Sequence, residues 1–400
     1  LLIAVLEVAF HIAPAAEVAK TYMNDSVFFI MGSLMLAVAI VQQGWDKRIA
    51  LGIIRLTGNK TKNIVFGFTA ISAIMSSFIG EHTVAAIMLP IAMTLIKFSS
   101  EDGEKVHGLS AVLLFSIAYG CLIGSIGTPS GGGRNVIIMS YLQDINISIS
   151  YLNWMILVYP LVLILIPIVS WILVKSFSPE YDRLDTGVRK LVVQVAKSPE
   201  LTGRNTLAVF IFFLVFLGWV FLSETLGLGI IALAGVLMYL IAGFVKWEDL
   251  SRNTHWGVII LFGSTISLGA NIKGTGAAFW LANKVIYVFG SLMEMFPFFT
   301  DTIIVIMTTT MANVLSSSAT VAVLGPITMN MGTDSLHLGM VTALASAFGF
   351  FTVVAAPACT IIYSSGLVTA KEFLKAGWRV GITCIVLLIT YTNTYWMVFK

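Results

Sequence analysis

Charged residues are scarce in this 400-residue chain. Asp, Glu, Lys and Arg together make up 11% of the sequence, whereas hydrophobic residues make up 58%. Soluble globular domains carry about 25% charged residues, so this composition excludes a soluble globular protein. The formal charge of +3 is too small to indicate a nucleic-acid partner. The sequence therefore predicts a multi-pass protein of a plasma or inner membrane.

Cysteine and the motifs of common enzymes are nearly missing as well. The three cysteines, Cys121, Cys359 and Cys384, lie in separate apolar stretches without a CxxC pair, which is typical of small buried side chains. Glu81-His82 is not part of an HExxH motif, and neither a P-loop lysine nor a GxGxxG context is present. We expect no catalysis and no bound cofactor.

Long apolar runs dominate the sequence and predict an all-α fold. A helix crosses the bilayer with about 20 apolar residues, whereas a membrane barrel would show alternating residues. The runs near residues 80, 130, 316 and 357 are interrupted by Gly, Pro, Ser or Thr. Such breaks are tolerated at membrane depth only against protein or an aqueous cavity. They predict re-entrant hairpins and broken helices.

Basic residues predict the orientation, because they favour the cytoplasmic side. The loops predicted to be cytoplasmic are residues 44–62, 98–108, 175–204, 246–255 and 371–379. The connections that lack Lys and Arg, and are expected outside, are residues 143–150, 223–226 and 331–337. The two sets agree only if residues 63–97 form a hairpin that enters and leaves on the cytoplasmic side, and residues 300–331 one on the external side.

Short sequence motifs of the first half of the chain recur in the second half, in the same order and at a nearly constant offset. Residues 31–33 (Met-Gly-Ser) match residues 262–264 (Phe-Gly-Ser), and residues 86–91 match residues 322–327, which also end in Pro-Ile. The break at 127–135 matches 355–359 in the same way. The sequence thus predicts two inverted repeats, as in many transporters. Their predicted parts are residues 1–175 (hairpin 63–97, broken helix 109–142), the cytoplasmic linker 176–204, and residues 205–400 (hairpin 300–331, broken helix 338–368).

Two hairpin tips are expected to face each other near the midplane of the membrane. The first tip, residues 80–83, carries Glu81 and His82, and ionisable side chains at this depth predict a functional site. The second tip, residues 316–320, carries four hydroxyl side chains. Short polar side chains and free N–H groups at a helix start can hold an anion, and carbonyls at broken helix ends can hold a cation.

The break at residues 127–135 adds one positively charged side chain to the predicted site. Three consecutive glycines, residues 131–133, permit a close approach of the backbone to a ligand, and Arg134 follows them. A guanidinium suits a carboxylate or a sulfate. The alternative is an ion pair between Arg134 and Glu81 without substrate contact.

These motifs resemble those of the divalent anion/sodium symporter family, which contains dicarboxylate and sulfate carriers. Residues 82–91 (HTVAAIMLPI) and 316–327 (SSSATVAVLGPI) match its hairpin layout, and residues 46–51 match its first interfacial helix. The resemblance implies a homodimeric elevator-type carrier, in which hairpins and broken helices move against a scaffold. Both Ser-Asn-Thr tip signatures of the family are altered, to Gly80-Glu81-His82 and to residues 316–318 (Ser-Ser-Ser).

The resemblance also implies the residues of the site. Those expected to bind substrate are Gly80, Glu81, His82, Thr83, Gly132, Arg134, Ser316, Ser317, Ser318, Ala356 and Pro357. Those expected to bind Na⁺ are Ser76, Gly80, Glu81, Gly131, Leu315, Ser317 and Ala355. Because both tip asparagines are absent, the coupling ion is Na⁺ or H⁺, and we hypothesise that Glu81 carries a proton or ligates the remaining cation.

The sequence therefore predicts a secondary active transporter for a small divalent organic anion, similar to a C4-dicarboxylate, coupled to Na⁺ or H⁺. The expected partners are that anion, the bilayer and a second copy of the chain. Sulfate or another inorganic oxyanion is the alternative substrate. An anion channel and an intramembrane enzyme are the alternatives of another class.

Overall fold

The computed structural model describes residues 1–43, 52, 57–99, 106–196 and 203–399. Within these ranges the chain is helical, and the only β pairing there is an isolated antiparallel bridge between Lys60 and Arg183. The predicted interfacial helix at residues 46–51 lies outside the described residues, as do parts of the predicted loops 44–62, 98–108 and 175–204.

The helices of the first half, including the linker, are α1 (Leu2–Ala9), α2 (Ala15–Tyr22), α3 (Asp25–Val41), α4 (Thr61–Ile79), α5 (Glu81–Ser99), α6 (His107–Gly124), α7 (Gly133–Gln143), α8 (Tyr151–Phe177) and α9 (Asp185–Ala196). Those of the second half are α10 (Gly203–Leu226), α11 (Leu228–Ile241), α12 (Trp247–Asn253), α13 (Trp256–Gly274), α14 (Ala277–Met295), α15 (Pro297–Val314), α16 (Ser317–Thr328), α17 (Ser335–Ala345), α18 (Pro357–Tyr363) and α19 (Ala370–Thr392).

Eight helices in the described part of the chain are long and apolar enough to cross a membrane. The protein is thus a multi-pass membrane protein with an all-helical fold, as its composition predicts. Others are too short for this: α16 has 12 residues and α17 has 11. At 1.5 Å per residue such helices reach about 18 Å, whereas the hydrocarbon layer is about 30 Å thick.

Local chemistry explains where the helices break. Between α4 and α5, Gly80 adopts φ +79° and ψ 152°, a conformation that is open essentially to glycine alone. Ser316 caps α16, because its Oγ accepts a hydrogen bond from the N–H of Ala319 at 3.3 Å. Pro357 is the first residue of α18, where its missing N–H costs nothing. The inverted relation of the two halves and their division at residues 175 and 205 stay predictions.

Helix α6 lies at the centre of the first half, where every residue from Leu109 to Gly124 is buried. It packs against α4, α5 and α8. Its N-terminus is capped by the linker, because the Glu180 carboxylate accepts hydrogen bonds from the N–H groups of Gly108 and Leu109 at 2.6 and 2.7 Å. The linker also pairs with the start of α4, where the N–H of Thr61 donates to the carbonyl of Asp182 at 2.9 Å.

Candidate functional site

Four helices begin at one small cavity. These are α5 and α7 in the first half and α16 and α18 in the second, and their first residues line a cavity of about 110 Å³. A helix N-terminus carries a partial positive charge and unsatisfied N–H donors. The cavity is therefore suited to an anion before any side-chain charge is considered. Its polar lining residues and glycines are Ser33, Gly80, Glu81, His82, Ser130, Gly131, Gly132, Gly133, Arg134, Ser316, Ser317 and Ser318.

An apolar wall of the cavity comes from α3 and α13. Phe29 and Ile30 of α3 and Leu261 and Phe262 of α13 line it. These segments contain the predicted repeat landmarks at residues 31–33 and 262–264. One side of the cavity is thus polar and made of helix starts, and the other side is made of two continuous helices.

Glu81 and Arg134 form an ion pair in the polar wall. Arg134 Nη2 lies 3.6 Å from Glu81 Oε2, and only 1% and 8% of the two side chains are exposed. Arg134 Nη2 also donates to Ser125 Oγ. Neither Glu81 Oε2 nor Arg134 Nε has a hydrogen-bond partner among the described residues. The pair leaves polar atoms beside the cavity that a ligand or water can satisfy.

Gly133 lies against the apolar wall. A Cβ atom at this position would collide with the Phe262 ring. At Gly80, by contrast, an added Cβ would meet nothing within 4 Å, so Gly80 is required by its backbone conformation and not by lack of space. The two glycines therefore serve different purposes at the same cavity.

In each half, an equivalent hydrogen bond joins the hairpin to the break that follows it. In the first half, Thr128 Oγ1 donates to the carbonyl of Ser77. In the second, Thr352 Oγ1 donates to the carbonyl of Asn313 at 2.7 Å. Ser77 lies as far ahead of residues 86–91 as Asn313 does ahead of residues 322–327. The bond therefore recurs at positions that the sequence repeat aligns.

A second recurring contact differs in chemistry between the halves. Asn135 Nδ2 donates to the carbonyl of Ser125 at 2.9 Å, and the aligned Cys359 approaches the carbonyl of Gly349 with its Sγ at 4.0 Å. Asn135 is fully buried, and its Oδ1 has no partner among the described residues. The first half thus offers a strong oxygen acceptor where the second offers only a thiol.

A wider vestibule of about 970 Å³ adjoins the cavity and shares Leu34, His82, Ser316 and Pro357 with it. Its outer lining includes Gln42 and Asn253. Gln42 lies just before the loop 44–62, and Asn253 lies within the loop 246–255; the basic residues predict both loops to be cytoplasmic. The vestibule therefore extends from the small cavity towards the basic face of the protein.

His82 lies close to a second histidine. Its ring stacks on that of His255, with 6.3 Å between the ring centroids. His255 is the N-cap residue of α13, and both rings line the vestibule. The sequence cannot reveal this proximity, because His255 is the last residue of a predicted loop in the other half of the chain.

The structure brings most of the expected substrate residues together. Those that line the small cavity are Gly80, Glu81, His82, Gly132, Arg134, Ser316, Ser317, Ser318 and Pro357. Thr83 and Ala356 line the vestibule. Their binding roles stay predictions.

The residues expected to bind Na⁺ are more dispersed. Gly80, Glu81, Gly131 and Ser317 line the cavity, whereas Ser76 donates to the carbonyl of Cys121 at 3.0 Å. The Ala355 carbonyl accepts hydrogen bonds at 3.2 Å from both the N–H and the Oγ of Ser317. Leu315 is 38% exposed and lines neither space. In the described residues, no group of three or more His, Cys, Asp or Glu side chains is arranged to hold a metal ion.

Asp301 and Glu7 are buried carboxylates that were not identified from the sequence. Asp301 lies 2.9 Å from His337 Nε2 and accepts a hydrogen bond from Asn393 at 2.8 Å. Glu7 accepts one from Ser267 at 2.7 Å and is 3% exposed. Glu7 was visible as a lone acid within an apolar run. No sequence signal joins Asp301 to His337, because the two residues belong to different helices.

Comparison with known proteins accords with this architecture. The family model described as the sodium:sulfate symporter transmembrane region matches residues 1–400. An uncharacterized transporter from Haemophilus influenzae is 27% identical over 99% of this chain and 87% of its own length. The sodium-dependent high-affinity dicarboxylate transporter 3 of Caenorhabditis elegans is 26% identical over 95% of this chain and 76% of its own.

A bacterial relative and a solved structure extend the comparison. The sodium-dependent dicarboxylate transporter SdcS of Staphylococcus aureus is 27% identical over 95% of this chain and 78% of its own length. The crystal structure of the Alcanivorax borkumensis YdaH transporter, described as having an unusual topology, superposes with a TM-score of 0.62. It covers 94% of this chain and 86% of its own at 14% identity, which supports a shared fold.

Proposed function

The chain belongs to the sodium:sulfate symporter family, and from this premise we propose that it is a secondary active transporter of a small divalent organic anion, similar to a C4-dicarboxylate, coupled to Na⁺. The observation that carries the proposal is the cavity at which four helices begin beside the Glu81–Arg134 pair. The relatives named as sodium-dependent dicarboxylate transporters support the choice of substrate and ion.

The size of the cavity favours a small substrate. Its volume of about 110 Å³ is well below the roughly 300 Å³ at which sites for drug-sized ligands begin. We assign one carboxylate of the anion to Arg134 and to the helix start at Gly132. The other carboxylate would lie against the hydroxyl groups of residues 316–318 at the start of α16. It would also lie against Ala356 and Pro357 at the start of α18. Gly80, His82 and Thr83 would complete the enclosure from the first hairpin.

Charge balance supplies the physical reason for a coupling cation. Glu81 and Arg134 neutralise each other, so a bound dianion would leave two negative charges in a medium of low dielectric. Cations that bind with the anion remove this cost. We propose the first cation site near Glu81, Gly80 and Gly131, in the same half as Glu81 Oε2 and Asn135 Oδ1, which accept no hydrogen bond from the described residues. Ser76, Leu315, Ser317 and Ala355 remain proposed for the other sites.

The second half is less suited to a cation than the first. The Ala355 carbonyl already accepts two hydrogen bonds from Ser317. Cys359 occupies the position that aligns with Asn135 of the first half. We therefore propose that fewer cations bind in the second half. This proposal includes an elevator movement, inverted repeats and a homodimer. Their support is the family resemblance alone.

A specific observation favours a second candidate substrate, sulfate. The cavity is small, one guanidinium and five serines border it, and four helices begin at it, which also suits a tetrahedral oxyanion. Purified protein in liposomes, with an imposed Na⁺ gradient and radiolabelled succinate or sulfate, tests both substrates. Saturable succinate uptake that sulfate does not inhibit supports the dicarboxylate proposal, and the reverse pattern supports sulfate. Uptake of either anion that persists under a proton gradient without Na⁺ would contradict sodium coupling.

A further inference from the structure

Two histidine rings face each other where the small cavity adjoins the vestibule. His82 lines both spaces, and His255 lines the vestibule. Their ring centroids lie 6.3 Å apart, and the ring planes are inclined by 29°. His82 is half-buried and His255 is exposed. An ion that enters the vestibule can therefore reach both rings.

The ring nitrogen atoms of this pair are available to a ligand. Neither ring makes a hydrogen bond or an ion pair with another described residue. His107 and His337 differ in this respect, because each lies 2.9 Å from a carboxylate. Although His255 is the N-cap residue of α13, its side chain makes no capping hydrogen bond. The fold therefore does not use the imidazole of His255 to begin that helix.

The charges around the pair are compatible with a cation. Within the described part of the chain, no other ionisable residue lines the vestibule. Arg134 borders the adjoining cavity, where its charge is balanced by Glu81 at 3.6 Å. A metal ion beside the two rings would thus face a neutral ion pair and not a lone guanidinium.

The ligand type selects the metal. Imidazole nitrogen is a preferred ligand of Zn²⁺, at about 2.0–2.1 Å, whereas Mg²⁺ and Ca²⁺ prefer oxygen. Rotation of the two side chains about their χ torsions can bring one nitrogen of each ring to the same ion. A structural Zn²⁺ site has four protein ligands. Two ligands predict weaker and reversible binding.

We propose that Zn²⁺ binds between His82 and His255 and inhibits transport. One ring nitrogen of each histidine ligates the ion, and water fills the remaining positions. The bound ion links the tip of the first hairpin to the start of α13 and lies where the cavity adjoins the vestibule. Ligand exchange between the two spaces is then blocked. The inhibition rests on the function proposed above, whereas the binding of Zn²⁺ does not.

Equilibrium dialysis of the full chain in detergent, without an affinity tag, against ZnCl₂ tests the site directly. His82→Gln and His255→Gln should each bind one Zn²⁺ ion fewer than the wild type. The double variant H82Q/H255Q should also bind one fewer, because both substitutions remove the same ion. Equal binding by the wild type and the single variants, or the loss of two ions in the double variant, would overturn the proposal.

Succinate uptake into liposomes, with Zn²⁺ added on both sides, tests the inhibition. Zn²⁺ should inhibit the wild type, and the same concentration of Mg²⁺ should not. His255 is not among the proposed substrate residues, so H255Q should transport normally without Zn²⁺. Its half-inhibitory Zn²⁺ concentration should rise by at least about tenfold, since even the loss of a residue that only orients a metal ligand lowers metal affinity about 10–100-fold.

His107→Gln is the matched control. His107 is exposed and lies 2.9 Å from Glu372, so it is an alternative place for Zn²⁺ to bind. H107Q should be inhibited by Zn²⁺ as the wild type is. Unchanged inhibition in H255Q, or an equal loss of inhibition in H107Q, contradicts the proposal. If the wild type took up neither succinate nor sulfate without Zn²⁺, the proposed function would fail, and the dialysis would still decide whether the ion binds.

Discussion

Arg134 Nη2 lies 3.6 Å from Glu81 Oε2, and both side chains are almost completely buried. Arg134 lies in the first turn of α7, and Glu81 begins α5 at the tip of the first hairpin. The pair therefore joins two segments whose helices begin at the same cavity. Removing one partner leaves an unpaired charge that is buried, which is more costly than removing both.

Arg134→Gln should lower the free energy of unfolding by about 3–5 kcal/mol, since it leaves the Glu81 carboxylate without its cation. Glu81→Gln should have a similar effect for the opposite reason. The double variant E81Q/R134Q should recover much of the lost stability, which thermal unfolding in detergent would measure. Uptake by R134Q and by the double variant should both fail if Arg134 holds the anion. A double variant that transports normally would contradict that role.

Gly80→Ala should destabilise the protein by about 1–3 kcal/mol, because φ +79° with ψ 152° is strained for any residue with a Cβ. No neighbouring atom would obstruct the new methyl group. Gly276→Ala is a control, since it too has positive φ, +77°, and open space, but lies outside the cavity. Both variants should lose stability in thermal unfolding, and only G80A should change the substrate KM. An unchanged KM in G80A would argue against a binding role for this tip.

Gly133→Ala should act through a collision and not through strain. The added methyl group would meet the Phe262 ring of α13. We expect reduced uptake and reduced stability, and the second substitution F262A should restore stability by making room. If F262A gave no rescue, Gly133 would be required for another reason, such as a close approach of its backbone to the ligand.

The paired hydrogen bonds of the two halves predict matched effects. Thr128→Val and Thr352→Val each remove one bond to a hairpin carbonyl, which should cost about 1 kcal/mol, and Thr128→Val also removes the 3.0 Å contact between Thr128 Oγ1 and Ser130 Oγ. Asn313→Ala keeps the carbonyl that accepts from Thr352, but it should cost more, because it removes the bonds from Nδ2 to the carbonyls of Thr309 and Phe348 and leaves the N–H of Phe351 without its acceptor. Thermal unfolding of the three variants checks this order. A loss in T128V several times larger than that in T352V would contradict equivalent roles.

Accessibility of the vestibule can be tested by cysteine labelling. The native Cys121, Cys359 and Cys384 are buried, so background labelling should be low. Asn253→Cys should react with a membrane-impermeant maleimide from the cytoplasmic side, because Asn253 lines the vestibule near a predicted cytoplasmic loop. Asn330→Cys is the counterpart on the side that the repeat predicts to be external. Labelling of both positions from one side would contradict the predicted orientation.

The helical fold and the positions of its breaks follow from local chemistry and could be predicted. Gly80, Ser316 and Pro357 mark helix boundaries because their conformational limits act within a few residues. Partners that are distant along the chain could not be predicted. The stacking of His255 on His82 and the pairing of His337 with Asp301 depend on helix packing, which the sequence pattern does not specify.

The neutrality of the Glu81–Arg134 pair has a consequence for the energetics of the transport cycle. A site without ligands carries no net formal charge from this pair. In the proposed elevator movement, the return of the empty site would therefore move no net charge from the pair through the electric field. Moving one charge across a membrane potential of 100 mV changes its energy by about 2.3 kcal/mol. The potential would then act on the loaded site when the bound cations carry more charge than the anion. Voltage would drive the loaded step and leave the return step nearly unaffected.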